Sequence, residues 1–201
     1  MTRPLLMLAT RNPQKRKEIA EILGDLPLEL GDLSVRPDVP EVEETGTTFE
    51  ANATIKALAA TRASGLPALA DDSGLSVHAL DGQPGLYTAD WEGPTRDAMV
   101  GMRRIQDELA ARQVPDTDEA RAATFHCVLA LAWPDEHIEL VHGTLDGRIV
   151  WPPRGSRGHG YDPCFQPKGD TRTTAEMTDA EKNAISHRGR AFRLLVEACF
   201  R

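Results

Sequence analysis

Apolar residues in this chain gather into short runs and helical stripes, parted by polar breaks rich in proline and glycine. Residues 5–9 form one such run. A polar turn follows, and Ile19, Ile22 and Leu23 then recur at helical spacing, which predicts a buried strand, a turn and a helix stopped by Gly24. Asn12 suits the N-cap of that helix and Pro13 its first position.

Residues 26–45, with "RPDVPEVEETG", read as a loop. Thr47 and Glu50 then stand at capping-box spacing before "FEANATIKALAATRA", predicting a second helix up to Gly65. In "LPALADDSGLSVHAL" two apolar runs flank Asp71, Asp72, Ser73 and Gly74, the pattern of a strand, a sharp polar turn and another strand. Over residues 95–112, Met99, Met102, Ile105 and Leu109 predict an amphipathic helix. "ATFHCVLALAW" and "HIELVHGTL", parted by "PDE", predict a β-hairpin. "PPRGSRGHGYDP" reads as a shaped loop. Two helical pieces finish the chain: Thr178 and Glu181 form a capping-box pattern, and Phe192, Leu195, Val196 and Cys199 give the last helix a core-facing stripe. A hairpin beside strand–helix units implies an α/β fold with a mixed sheet and flanking helices, in one domain over residues 1–201.

Composition narrows the function. With 40% apolar and 27% charged residues the chain has the make-up of a globular protein, and its net charge of −8 argues against general nucleic-acid binding. An anion site must therefore be local. Cys127, Cys164 and Cys199 lie far apart, so neither a zinc knuckle nor a disulfide framework is signalled and a reducing, cytoplasmic setting is expected. "LLMLA" is too short for a signal-peptide core, and no membrane span is expected.

Three clusters carry chemistry. The turn after the first strand leads into a capped helix whose free N–H groups favour an anion. Thr10 and Asn12 supply polar side chains there, and Lys15 an ammonium in the first turn. Taken alone, the same segment fits an ordinary cap with solvated lysines. The paired acids of "ADDSG" repel each other unless something positive lies between them; with Glu43 or Glu44 they suit a divalent cation, and by themselves they equally suit an Asx turn. "EKNAISHRGR" places Lys182, His187, Arg188 and Arg190 close in sequence to "RGHGYDP", where Tyr161 or His159 offers a ring for a flat base. A solvated basic helix is the plainer alternative.

Together the segments "TRNPQK", "EETGTTFEANATIKA", "ADDSGLSV", Gly82 to Gly85, "FHCVLAL", "GHGYDPCF" and "AEMTDAEKNAISHRGRA" closely resemble the inosine triphosphate pyrophosphatase, or Ham1-like, family, in order from the first strand to the last helix. The resemblance implies an elongated mixed sheet with flanking helices, two lobes around a central nucleotide cleft, and a homodimer. It implies hydrolysis of deaminated purine triphosphates (ITP, dITP, XTP, dXTP) between the α and β phosphates, giving the monophosphate and pyrophosphate, with Mg²⁺ as cofactor.

By the same resemblance the substrate would be lined by Thr10, Arg11, Asn12, Pro13, Gln14 and Lys15 of the first motif, with Lys56 from the second helix, on one face with Asn52. Asp72 would be the catalytic acid and a metal ligand, and Glu43 the second ligand, with Glu44 a close substitute. Ser73 would touch the nucleotide, and Lys182 would add positive charge near the triphosphate. His159, Gly160, Tyr161 and Asp162, with His187 and Arg188, would read the base: donors from the last two accept the C6 carbonyl of hypoxanthine or xanthine and reject the amino group of adenine. His159 stands where many members carry an aromatic residue, and Arg11 where glycine is common. Two other functions fit the same residues: a pyrophosphatase for other modified nucleotides, and a nucleotide-binding sensor without turnover.

Overall fold

The computed structural model describes residues 3–10, 12–24, 26–32 and 42–200. Among these residues the sheet has seven strands: β1 (Leu5–Leu8), β2 (Glu29–Asp32), β3 (Ala68–Val77), β4 (Pro84–Gly85), β5 (Ala122–Ala132), β6 (Ile138–Ile149) and β7 (Phe165–Pro167). The order is β2-β1-β3-β5-β6-β7, with β4 on β3. β1 pairs in parallel with β2 and β3, whereas β3–β4 and β6–β7 are antiparallel, so the sheet is mixed as expected. Among the described residues five α-helices accompany it: α1 (Pro13–Leu23), α2 (Phe49–Ser64), α3 (Ala98–Ala111), α4 (Asp179–Ile185) and α5 (His187–Cys199).

The chain divides into two compact units, one of Met1–Asp72, Cys127–Gly143 and Ala191–Arg201, the other of Ser73–His126 and Thr144–Arg190. In the first, Leu6, Leu8 and Leu69 join Ile19 and Leu23 of α1 and Phe192 and Leu195 of α5 in one core. A second core sets Ala53 and Ala57 of α2 against Ala70, Val128, Ala130 and Ala132. Alanine on both sides lets helix and sheet approach closely. Leu69 and Ala70 are consecutive, so the pleat of β3 faces α1 and α5 on one side and α2 on the other.

In the second unit, Met102, Ile105 and Leu109 of α3 pack with Leu75, Val77, Phe125, Leu145, Tyr161 and Phe165. Each large aliphatic side chain buried in this way contributes about 1.5–3 kcal/mol.

Several local expectations shift. Within 26–45, β2 is a strand, held by parallel pairing with β1 that no local pattern announces; residues 33–41 of that predicted loop lie outside the described ones. The cap of α2 is Thr48, whose side chain accepts from Ala51 N, one residue later than the spacing suggested. Gly65 closes the helix in the left-handed conformation (φ 69°), donating to Thr61 O. Helix α3 starts at Ala98 behind the cap Asp97, and Met99 lies outside its core stripe, 43% exposed. The largest change is at "ADDSG". There is no turn, because β3 runs unbroken from Ala68 to Val77. Its carboxylates are bound by lysines and leave the backbone free to stay extended. The hairpin stands: β5 and β6 are neighbours in the sheet, and Trp133 N donates to His137 O across their connection. So does the capping box of α4, from Thr178 to Glu181.

Candidate active site

In the first unit, β1 delivers Thr10 and Asn12 to the start of α1. Thr10 Oγ1 accepts from Asn12 N at 3.2 Å, and Asn12 Oδ1 from Lys15 N at 3.3 Å, which makes Asn12 the cap it was expected to be. Lys15 then reaches β3, its Nζ 2.7 Å from Asp71 Oδ2, with the lysine side chain 23% and the aspartate 3% exposed. Arg11 lies outside the described residues, as do the side chains of Pro13 and Gln14, so their expected contacts are not placed.

On the α2 side, Lys56 Nζ is 3.0 Å from Glu44 Oε1 and 3.6 Å from Asp72 Oδ1. Asn52, one turn before Lys56, hydrogen-bonds Asp72 and accepts Gly46 N at 2.8 Å, which ties the segment bearing Glu44 to the helix. Gly46 is needed for this approach, since a Cβ there would sit 2.6 Å from Asn52 Oδ1. Glu43 is exposed. Of the two acids left open by the sequence, Glu44 is the one that meets Lys56.

Burial pushes the Asp72 carboxyl above the usual carboxylate range, against the pull of Lys56, and the charge of Glu44 adds to the push. For Lys56, burial pulls downward, but Asp72, Asp71 and Glu44 outweigh it and hold the ammonium above its ordinary value. Among the described residues no three His, Cys, Asp or Glu side chains gather into a metal cage. Mg²⁺ takes only one or two protein carboxylates, and two hard oxygen donors of like charge, one raised by burial, are a donor set that suits it.

In the second unit Asp162, one of the expected base-reading residues, is 2% exposed. Its Oδ2 lies 2.6 Å from Lys182 Nζ and accepts His159 N at 2.8 Å, and its Oδ1 accepts Thr174 Oγ1 at 2.8 Å. Gly158 (φ 72°) and Gly160 (φ 60°) bend the loop that carries His159. The positive charge of Lys182 is thus balanced in place by Asp162, a pairing that the sequence did not suggest.

Tyr161 is a core residue, 2% exposed, and its hydroxyl donates to Thr88 O at 2.8 Å. Of the two rings proposed for a flat base, only the half-buried His159 is open to one. His187 opens α5 and is stacked on Phe125, with ring centroids 4.8 Å apart and planes at 15°. Burial holds its imidazole well below the ordinary histidine range, and Arg188, Lys182, His159 and His126 add to the effect, so the ring is neutral at pH 7. Arg188, 5% exposed, reaches Ser73 Oγ at 3.5 Å.

Asp71 and Phe125 were not among the substrate, catalytic or metal residues that the resemblance implied. Asp71 carried a signal, an acid next to Asp72, whose alternation becomes visible only once the segment is known to be a strand.

The family model described as "Ham1 family" matches residues 6–198. A protein of Gluconobacter oxydans named dITP/XTP pyrophosphatase is 50% identical over 194 residues, covering 96% of this chain and 90% of its own. One of the same name from Rhodospirillum centenum is 51% identical, covering 97% and 94%. Among solved structures, a HAM1 protein from Coxiella burnetii matches with a TM-score of 0.88 and 40% identity over 97% of this chain and 98% of its own. One described as nucleoside-triphosphatase / dITP/XTP pyrophosphatase from Mycobacterium abscessus gives 0.78 and 41% over 96% and 98%.

Proposed function

The chain belongs to the Ham1 family, and from that premise we propose that it hydrolyses the triphosphates of deaminated purines, dITP, ITP and XTP, to the monophosphate and pyrophosphate. The observation that carries this reading is full-length identity of about half to proteins named dITP/XTP pyrophosphatase, with the motif lysines and carboxylates joined as described. Residues 1–201 are read as one catalytic domain.

In this reading Lys15 and Lys56 face the phosphate chain and offset the charge that builds on it in the transition state. Thr10 and Asn12 add hydrogen bonds at the start of α1. Asp72, ionised, holds the attacking water or takes its proton, and its carboxyl, raised above the usual range, suits a general base. Asp72 with Glu44, or with the expected Glu43, would hold Mg²⁺. When bound, that ion supplies charge neutralisation and a more acidic water.

At the base end, the Arg188 guanidinium and the single N–H of a neutral His187 donate to the C6 carbonyl of hypoxanthine or xanthine. Adenine presents an amino group there, donor against donor, and buried donors left unpaired are costly. Ser73 lies beside the nucleotide, His159 offers a face to the base, and Asp162 holds both the His159 backbone and Lys182.

Turnover of dITP, XTP, GTP, dUTP and ATP with and without Mg²⁺, with the product identified, tests the reading. Fast pyrophosphate release from dITP and XTP with little from ATP is expected. Preference for dUTP would move the enzyme to modified pyrimidines, and binding without turnover would leave a sensor. The same proposal includes a homodimer, measured by sedimentation, and a cytoplasmic location. No helix among the described residues is long and apolar enough to cross a membrane.

A further inference from the structure

The imidazole of His187 is buried, and its Nδ1 has no hydrogen-bond partner among the described residues. A histidine is ordinarily fixed in orientation and tautomer by a hydrogen bond to its second nitrogen. The torsion that turns the ring is otherwise broad and two-fold. Here that restraint must come from packing. The Phe125 ring lies against the imidazole at 4.8 Å and 15°, close to parallel.

Phe125 is braced in turn. Its ring meets Phe165 at 4.3 Å and 47°, and Phe165 is fully buried in β7. Gly147, opposite Pro167 in the β6–β7 pairing, leaves no room behind that ring: a Cβ there would stand 2.7 Å from Phe165 Cζ. A ladder of three rings thus runs from the edge of the sheet to the first residue of α5. The charged and titratable groups around the imidazole are Arg188, Lys182, His159 and His126, all cationic when protonated, with the charge of Lys182 balanced by Asp162. None of the four brings a negative charge to the imidazole.

We propose that Phe125 is a positioning residue for His187, its ring fixing the plane of the imidazole so that the same nitrogen faces the purine in every molecule. The proposal rests on the base-reading role of His187 given above. It adds a residue that touches no substrate and belongs to none of the sites expected from the sequence.

The test is Phe125→Leu, which keeps an apolar side chain but removes the flat face, beside Leu145→Ala, a truncation in the same core that removes no ring. Two readouts are needed. In ligand-free protein, nitrogen NMR of the His187 side chain should report one fixed neutral tautomer in the parent and in Leu145→Ala. It should report averaged tautomers or titration near neutral pH in Phe125→Leu. In turnover, Phe125→Leu should raise KM for dITP about two- to tenfold, the range an aromatic pair is worth, with kcat within about twofold of the parent. Leu145→Ala should leave KM unchanged. An unaltered His187 signal in folded Phe125→Leu overturns the proposal, and so does an altered signal with unaltered KM in an active enzyme. If the parent turns over no dITP, the proposed activity fails and the NMR comparison alone decides whether Phe125 orients the ring.

Discussion

Lys182 and Asp162 form an ion pair at 2.6 Å with both side chains almost wholly withdrawn from solvent, 10% and 3% exposed. A buried pair of this kind is weak evidence for stability as a whole but strong evidence against losing one half. Asp162→Asn leaves a buried ammonium short of its counter-charge and leaves one side-chain oxygen where two now serve Lys182, His159 N and Thr174. The expected loss is about 3–5 kcal/mol by urea denaturation. The double variant Asp162→Asn/Lys182→Met should recover a substantial part of it. Equal losses in the single and double variants would show that the charge pairing is not what holds the loop.

Asp72→Asn should separate activity from stability. As a general base Asp72 should be worth at least about 10²-fold in kcat, and pyrophosphate release from dITP should fall by that much or more. Stability should move the other way. A carboxyl whose folded pKa lies above its unfolded value destabilises the fold in its charged form, and that cost appears as pH rises through the raised pKa. The amide removes it. The melting temperature at pH 7 should therefore be unchanged or higher, and a clear fall in scanning calorimetry would refute the sign.

Lys15 bridges α1 to the Asp71 carboxylate. Lys15→Ala should fold and should lower kcat/KM for dITP about tenfold or more, the scale of one charge-assisted contact of 1.5–3 kcal/mol. Lys15→Arg should keep part of that. Unchanged kinetics in Lys15→Ala would leave Lys15 with a structural role alone.

Glu181 accepts Thr178 N and Oγ1 and meets Arg172, and its carboxyl is lowered from 4.5 to about 2. Because the folded value is the lower one, the stabilisation is present above the unfolded value of 4.5 and is lost as pH falls toward about 2. The melting temperatures of parent and Glu181→Gln should differ at pH 6 and converge near pH 2. A constant difference across that window would contradict the assignment.

Gly101 lies on the buried face of α3, where a Cβ would overlap the Tyr161 hydroxyl. Gly101→Ala should cost about 1–3 kcal/mol in denaturant, the usual penalty of an overfilled core, despite alanine's better helix propensity. A stabilised variant would mean that the Tyr161–Thr88 bond yields easily.

What the sequence disclosed follows from where the information lies. Elements with a local period or cap were legible: α1 from Ile19 and Leu23, α4 from Thr178 and Glu181, α5 from Phe192 and Leu195. β2 was not, because "ELGD" carries no strand pattern and is held by pairing with "LLML". The unbroken β3 was missed for a related reason. Adjacent aspartates and a glycine signal a turn unless distant partners claim the carboxylates, and here Lys15 and Lys56 do. Site residues were legible as types, an aspartate here and a lysine there, through resemblance of motif. Their pairings were not, since Lys182 with Asp162 and His187 with Phe125 join positions 20 and 62 apart in the chain.

The unbroken course of β3 makes the pleat a sorting device. Leu69 and Asp71 face the α1 side, Ala70 and Asp72 the α2 side, so two neighbouring carboxylates go to two different lysines. Their division of labour is set by parity. Substitutions along the strand alter one face at a time, whereas losing or gaining a single residue between Ala68 and Asp71 would exchange the two acids and turn the flanking apolar residues to the wrong sides. In this segment, chain length is under tighter constraint than side-chain identity.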